Sequence, residues 1–182
     1  MDSTIVVVVV AVVAVVSLLG LVLARQRRSA KLQERFGPEY THAVDTYGSK
    51  RSAETELAAR EKRVEKLPIR PLQAAESDRF SKSWQAAQAR FVDQPARAVT
   101  DASVLVKEVM AARGYPTGDF EQRAADISVD HPVIVSNYRA ARDIAQKNQT
   151  GSATTEDLRQ AMVHYRALFQ ELLQTEPEKE LA

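Results

Sequence analysis

An uncharged run of twenty residues near the N-terminus, 5–24, constrains this chain more than any other feature. It reads IVVVVVAVVAVVSLLGLVLA, and Ser17 is its only polar side chain. A helix rises about 1.5 Å per residue, so the run spans about 30 Å, the thickness of a bilayer's hydrocarbon core. In lipid the backbone groups have only each other as partners, which favours a helix even for a Val-rich segment. The run therefore predicts a transmembrane helix over residues 5–24.

A cleaved secretion signal is the alternative interpretation of this run. Such signals usually have a basic leading segment and an apolar stretch of about 7–15 residues. Residues 1–4 contain no Lys or Arg, and the run is longer than that range. Val22-Leu23-Ala24 does offer the small residue of a cleavage site, which leaves an extracytoplasmic or secreted protein as the alternative. We predict a retained anchor with residues 1–4 as a short extracytoplasmic N-terminus.

Four cations lie directly after the run and form a basic juxtamembrane segment over residues 25–31. They are the membrane-proximal residues Arg25, Arg27, Arg28 and Lys31. Lys and Arg next to a membrane helix favour the cytoplasmic side. Near anionic headgroups each is worth about 1 kcal/mol. The flanks therefore predict a single-pass protein of the cell membrane with its N-terminus outside and its C-terminal domain in the cytoplasm.

Apolar residues recur at helical spacing through most of the remaining sequence. The strongest stripe follows Thr154 and Thr155, and includes Leu158, Met162, Tyr165, Leu168, Phe169 and Leu172. No sustained period-two alternation occurs outside the uncharged run, which argues against a sheet. The expected fold is all-α: one domain of about six to eight helices over residues 32–174, followed by a flexible acidic tail over 175–182.

Gly and Pro mark where we expect these helices to end. Gly37-Pro38 predicts a break, the segment PIRPL another, and Gln94-Pro95 a third. Gly114 lies where a glycine ends a helix, and Asp119 opens a short helix. Asp130-His131-Pro132 is expected to begin a helix, with Asp130 capping it and the proline in its first turn.

Composition excludes several classes of function. The chain contains no Cys, which excludes disulfides and thiolate metal sites or catalysis. Residues 71–182 carry thirteen Lys and Arg against sixteen Asp and Glu, so the folded part lacks the basic footprint of a nucleic-acid-binding protein. No phosphate loop, dinucleotide fingerprint or nucleophile motif occurs. No nucleic acid, cofactor or metal is predicted as a ligand.

The three histidines are the natural candidates for chemistry. His42 stands in the spacing E-x-x-H-x-x-D with Glu39 and Asp45, which a metal site or any charged helix surface can produce. His131 suits a helix start, and His164 borders the last apolar stripe. We favour the structural interpretation of all three and predict no catalytic and no metal-binding residue.

Several phrases of the sequence resemble a family of bacterial proteins without a known activity. They are REKRVEKLPIRPL, WQAAQARFVDQPARAV, VMAARGYP, DFEQRAADISVDHP and EDLRQAMVHYRALFQELL. The resemblance covers nearly everything after the anchor and implies a membrane helix followed by one helical domain. It implies no substrate and no site residue.

The sequence therefore predicts a membrane-tethered helical module that binds an unknown protein partner and is not an enzyme. Homo-oligomers are left open. The helix predicted over residues 49–67 offers a polar contact surface through Arg51, Arg60, Lys62, Arg63 and Lys66, together with Glu54, Glu56, Glu61 and Glu65. One alternative is an enzyme acting on a membrane or cell-wall substrate through a His–carboxylate pair, with His131 or His42 as its histidine. The other is a scaffold that binds anionic lipid or self-assembles.

Overall fold

The computed structural model describes residues 3–173, with the side chains of residues 12, 13 and 15–173. Over that range the chain forms eight α-helices and no strand, which confirms the all-α expectation. They are α1 (Ser3–Phe36), α2 (Pro38–Tyr47), α3 (Lys50–Val64), α4 (Ala74–Arg90), α5 (Pro95–Ala112), α6 (Phe120–Asp130), α7 (Val135–Gln149) and α8 (Thr155–Leu173). Residues 1 and 2 of the predicted N-terminal segment and the predicted tail 175–182 lie outside the described residues.

The predicted transmembrane range, 5–24, falls within α1, although the side chains of residues 5–11 and 14 lie outside the described residues. Within the part of the chain that is described, no helix combines the length and the apolar character needed to cross a membrane. The helix does not stop at the end of the uncharged run. It continues through residues 25–31 to Phe36, so the predicted juxtamembrane segment is helical.

The chain divides into two compact units, the first ending at Leu57 and the second beginning at Ala58. This boundary lies inside α3. In the first unit α1 packs against α2. Leu32, Phe36, Tyr40 and Ala43 are buried there, at the helical spacing that the sequence predicts.

The second unit is a helical bundle built around α5 and α8. Helix α8 packs against α5 and α7, and α4 packs against α5. The predicted stripe of α8 is its buried face, with Leu168 and Leu172 fully shielded from solvent. Trp84, the only tryptophan, stacks on Phe169 with ring centroids 4.7 Å apart. Aromatic and aliphatic burial of this kind supplies most of the stability of a helical domain.

Most predicted breaks are confirmed. Gly37 has a φ of 47° and precedes Pro38, the first residue of α2. No helix covers residues 68–73, where the segment PIRPL lies. Pro95 starts α5, and Asp119 caps α6 by accepting a hydrogen bond from the Gln122 N–H at 3.0 Å. Thr154 caps α8, since its Oγ1 accepts a hydrogen bond from the Asp157 N–H at 3.1 Å.

Gly114 ends α5 through a paired set of backbone hydrogen bonds. Its N–H donates to the Ala111 carbonyl at 3.0 Å, and the Tyr115 N–H donates to the Met110 carbonyl at 3.0 Å. This is the Schellman arrangement, in which the residue after the helix adopts a left-handed conformation. Gly114 has a φ of 95°, as that position requires.

The prediction of a helix start at Asp130-His131-Pro132 is wrong. Helix α6 extends to Asp130, His131 follows as its C-cap, and α7 begins at Val135. Asp130 does not cap a helix, because its Oδ2 accepts a hydrogen bond from the Tyr115 hydroxyl at 2.7 Å. That contact with a buried tyrosine outweighs the local preference for an N-cap.

Candidate functional site

The predicted basic cluster occupies two faces of α1. Arg25 and Arg28, three residues apart, line a groove together with Gln26 and Ser29. Arg27 and Lys31, four residues apart, are exposed and are not part of the groove wall. The four cations are therefore divided into one pair inside the groove and one pair outside it.

The opposite wall of this groove comes from the first turns of α3. It consists of Lys50, Arg51, Glu54 and Thr55, and the enclosed volume is about 470 Å³. The chain reverses through α2 between the two walls, with Gly48 in a left-handed conformation at φ 71° where α2 ends. All residues of this feature, which we call the basic groove, belong to the first unit.

Among the described residues that line the basic groove, Glu54 is the only carboxylate, and it holds the walls together. Its Oε1 accepts hydrogen bonds from the Ser29 hydroxyl at 2.6 Å and from the Tyr40 hydroxyl at 2.7 Å. Burial acts to raise the pKa of Glu54, but these hydrogen bonds and the charges of Lys50 and Arg28 outweigh it and lower the pKa. Glu54 is therefore ionised at neutral pH and ties α1, α2 and α3 to one point.

Four cations line the groove with this carboxylate, two on the α1 wall and two on the α3 wall beside it. Since Glu54 already accepts two hydroxyl donors, it offers limited compensation to the guanidinium groups and the ammonium group around it. Arg and Lys arranged around a concave surface bind phosphate and carboxylate oxygens through charge-assisted hydrogen bonds. The chemistry that suits the basic groove is the binding of an anionic group.

Sequence reasoning missed Lys50 and Arg51 as partners of Arg25 and Arg28. The sequence marks the helix ends around α2 through Gly37-Pro38 and Gly48, so a change of chain direction between α1 and α3 was foreseeable. The periodicity of a charged helix gives no preferred face, and α3 has few apolar residues to define one. No local pattern therefore indicated which cations of α3 would approach α1.

The contact surface predicted on the charged helix requires a correction. Arg60 is only 4% exposed, and its Nη1 donates to the Ser128 hydroxyl at 3.3 Å. The Nε of Arg63 donates to Oδ1 of the buried Asp126 at 2.7 Å. Two of the five predicted cations therefore make contacts within the second unit instead of facing a partner.

The histidines are placed apart from the basic groove. His42 is exposed on α2 while Glu39 is buried, and no group of three potential metal ligands occurs among the described residues. Nδ1 of His164 lies 2.8 Å from the Asn137 side-chain oxygen. His164 is half-buried beside the stripe of α8, the boundary position that the sequence indicates.

His131 does form a pair with a carboxylate, as the enzymatic alternative requires of one histidine. Its Nδ1 lies 2.9 Å from Oε1 of Glu171 on α8. Its Nε2 is buried and has no hydrogen-bond partner among the described residues. A general base has to reach the proton that it removes. Because Nε2 is shielded, we assign this pair the role of joining the end of α6 to α8.

Comparison of the chain with protein-family models, with curated proteins and with solved structures gave no match.

Proposed function

We propose that this chain is a membrane-attached helical module that acts by binding, with the basic groove holding the headgroup of an anionic lipid. One observation carries the proposal: an exposed apolar surface on α1 leads directly into the basic groove on the same unbroken helix. The proposal assigns no catalytic role to any residue.

The apolar surface supports membrane attachment. Nine Val and Leu side chains of α1 between residues 12 and 23 are 42–63% exposed. A helix that is apolar on all sides is normally covered by protein or by lipid. The uncharged run of residues 5–24 is long enough to match a hydrocarbon core. Lipid is the cover that we propose for it.

The distance along α1 supports headgroup binding. Arg25 and Arg28 follow Ala24 by one and four residues, so they lie within about 6 Å of the end of the uncharged run along the helix axis. The polar layer on each side of a bilayer is roughly 5–8 Å thick. An inserted α1 would therefore place the basic groove at the depth of the lipid phosphates.

The four cations after the run also favour a cytoplasmic second unit, because Lys and Arg next to membrane helices stay inside. Protease treatment of spheroplasts that express the full chain with a C-terminal tag tests this topology. We expect the tag to survive until the membrane is permeabilised. Digestion in intact spheroplasts would place the domain outside, and recovery of the chain from the medium would reject the anchor itself.

Lipid selectivity tests the basic groove separately from membrane insertion. The full chain in detergent mixed with equal amounts of phosphatidylglycerol and phosphatidylcholine is analysed by native mass spectrometry. We expect retained lipid to be mainly phosphatidylglycerol. With about 1 kcal/mol for each cation, the Arg25→Gln/Arg28→Gln variant should lose that preference about tenfold or more.

The matched control is the Arg27→Gln/Lys31→Gln variant, which removes the same charge from the same helix but leaves the groove wall intact. We expect it to retain most of the preference. Equal loss in both variants would show attraction by net charge alone and would refute a headgroup site in the basic groove. Both variants should still insert, so a failure of lipid selectivity is distinguishable from a failure of the anchor.

We further propose that the second unit presents a surface to another protein at the membrane. A tether raises the effective concentration of a module near its target, and this benefit does not require the module to have an active site. Affinity capture of the full-length chain in mild detergent, with an α1-only control, tests this part. Recovery of the same proteins with both baits would attribute the binding to α1.

A further inference from the structure

A second cavity, of about 260 Å³, lies in the second unit among α5, α6, α7 and α8. It is separate from the basic groove in residues and in unit. Lys107, Arg123 and Arg142 contribute three cations to its wall, and Tyr138 and Tyr165 contribute two phenols. None of the described residues that line it is acidic.

Arg123 is the fixed element of this cavity. It is only 7% exposed, and its Nη1 donates to the carbonyls of Thr117, at 3.0 Å, and of Gly118. Its Nε donates to the Tyr138 hydroxyl at 3.1 Å. These contacts set the plane of the guanidinium and do not use Nη2, which carries two further donors. These contacts fix the guanidinium before any anion binds.

The two phenols of the wall can donate hydrogen bonds to a ligand. Because the Tyr138 oxygen accepts from Arg123, its own proton is available to another acceptor. Burial raises the pKa of Tyr165 to about 12. Burial also raises the pKa of Tyr138. Both phenols therefore keep their protons at neutral pH.

The other two cations stand around this donor group. Arg142 lies over the Phe120 ring, with its guanidinium carbon 4.0 Å from the ring centroid, and its Nη1 is 3.2 Å from Oε1 of the exposed Glu121. Lys107 is exposed. Glu121 does not line the cavity, and it offsets only part of the charge of Arg142. The lining therefore keeps an excess of positive charge.

We propose that this cavity binds the phosphate group of a small molecule. Three cations without a carboxylate in the wall favour a dianion over a singly charged carboxylate. Guanidinium and hydroxyl donors from several directions suit a tetrahedral group with several acceptor oxygens. The volume is below the range of about 300–1,000 Å³ that drug-sized ligands fill, which indicates a phosphate carrying few further atoms.

Inorganic phosphate is the probe, titrated by calorimetry into the full chain in phosphate-free buffer with mild detergent. We expect saturable binding of one equivalent. Lys107→Gln should weaken it about tenfold, since a hydrogen bond to a charged group is lost. Tyr138→Phe, which removes only a hydroxyl, should also weaken it. Trp84 emission confirms that each variant is folded.

Lys147→Gln is the matched control, because Lys147 is exposed on α7 next to the wall residue Gln146 but does not line the cavity. We expect the phosphate affinity of Lys147→Gln to change less than twofold. The same is expected of the Arg25→Gln/Arg28→Gln variant of the basic groove. No saturable binding, equal weakening by Lys147→Gln and Lys107→Gln, or equal affinity for acetate would each overturn the proposal.

The same phosphate chemistry occurs in soluble metabolites and in lipids. Dihexanoyl phosphatidic acid, used below the concentration at which it forms micelles, provides a second arm of the titration. Binding of the lipid that depends on Lys107 and is tighter than that of inorganic phosphate would identify a lipid as the source of the phosphate, and weaker or absent lipid binding would identify a soluble metabolite. Loss of lipid selectivity at the basic groove would not affect this result.

Discussion

Gly114 provides the sharpest test of how the second unit is packed. A Cβ added at this position would lie 2.4 Å from the Pro68 carbonyl oxygen and 3.4 Å from the Ile69 Cα. Both neighbours are backbone, so no side-chain rotation relieves the contact. The same segment is joined to the end of α5 by a hydrogen bond from the Arg70 N–H to the Arg113 carbonyl, at 2.9 Å.

Gly114→Ala should therefore carry two costs. A left-handed conformation costs a residue with a side chain about 1–2 kcal/mol. Forcing an additional carbon into a packed site costs about 1–3 kcal/mol more. We expect the free energy of unfolding to fall by about 2–5 kcal/mol, since the Pro68 carbonyl has to move away and strains the adjoining hydrogen bond.

Gly151 supplies the control. It has a φ of 71°, and a Cβ built there meets no atom within 4 Å. Gly151→Ala should therefore show only the conformational cost, about 1–2 kcal/mol. Both variants belong to the second unit, so the same probe reports on both.

Urea unfolding of the full chain in mild detergent, followed by the emission of Trp84, measures the two effects. This tryptophan is 6% exposed and stacked on Phe169, so its emission changes when the second unit unfolds. Equal destabilisation by both substitutions would refute the close approach of the Pro68 carbonyl to α5. A stable Gly114→Ala variant would refute the conformational argument as well.

Three further predictions concern local stability. Because burial raises the pKa of Tyr165 to about 12, its stabilising contribution is complete below about pH 10 and is lost as pH rises toward 12. In an alkaline titration at 295 nm its ionisation should accompany unfolding, and Tyr165→Phe should remove that part of the absorbance change. Asp119→Ala should lower the free energy of unfolding in urea by about 1 kcal/mol through loss of the α6 cap. Asp119→Asn should keep most of that stability, because asparagine can also cap a helix. Leu168→Ala should cost about 2–5 kcal/mol in the same assay, and Val163→Ala, at a 45% exposed position of α8, less than about 0.5 kcal/mol.

The helices were largely predictable because they depend on local rules. The stripe of α8 follows from spacing alone, and the ends at Gly37-Pro38 and Gly114 follow from backbone chemistry that no neighbour has to supply. The failed helix start at Asp130 shows the limit of such rules. A tertiary hydrogen bond from Tyr115 uses the carboxylate that a local rule assigns to capping.

The candidate sites were much less predictable because they depend on which faces meet. The sequence identifies Arg25 and Arg28 because they directly follow the uncharged run. Lys50 and Arg51 of α3 join them in the groove only because the chain changes direction through α2. Arg123 lies in a short helix where its sequence neighbours give no indication of burial. Its position depends on the carbonyls of the preceding turn and on a phenol of α7.

Continuity of α1 has a mechanical consequence for the proposed anchor. A flexible joint between the anchor and the basic groove would let the groove search the surface at varying heights. Here the helix passes from Ala24 through Arg28 to the buried Phe36 without interruption. Each residue added to or removed from this stretch would raise or lower the groove by about 1.5 Å and turn it by about 100°. With α1 inserted as proposed, the number of residues after Ala24 would set the height of the basic groove above the hydrocarbon edge.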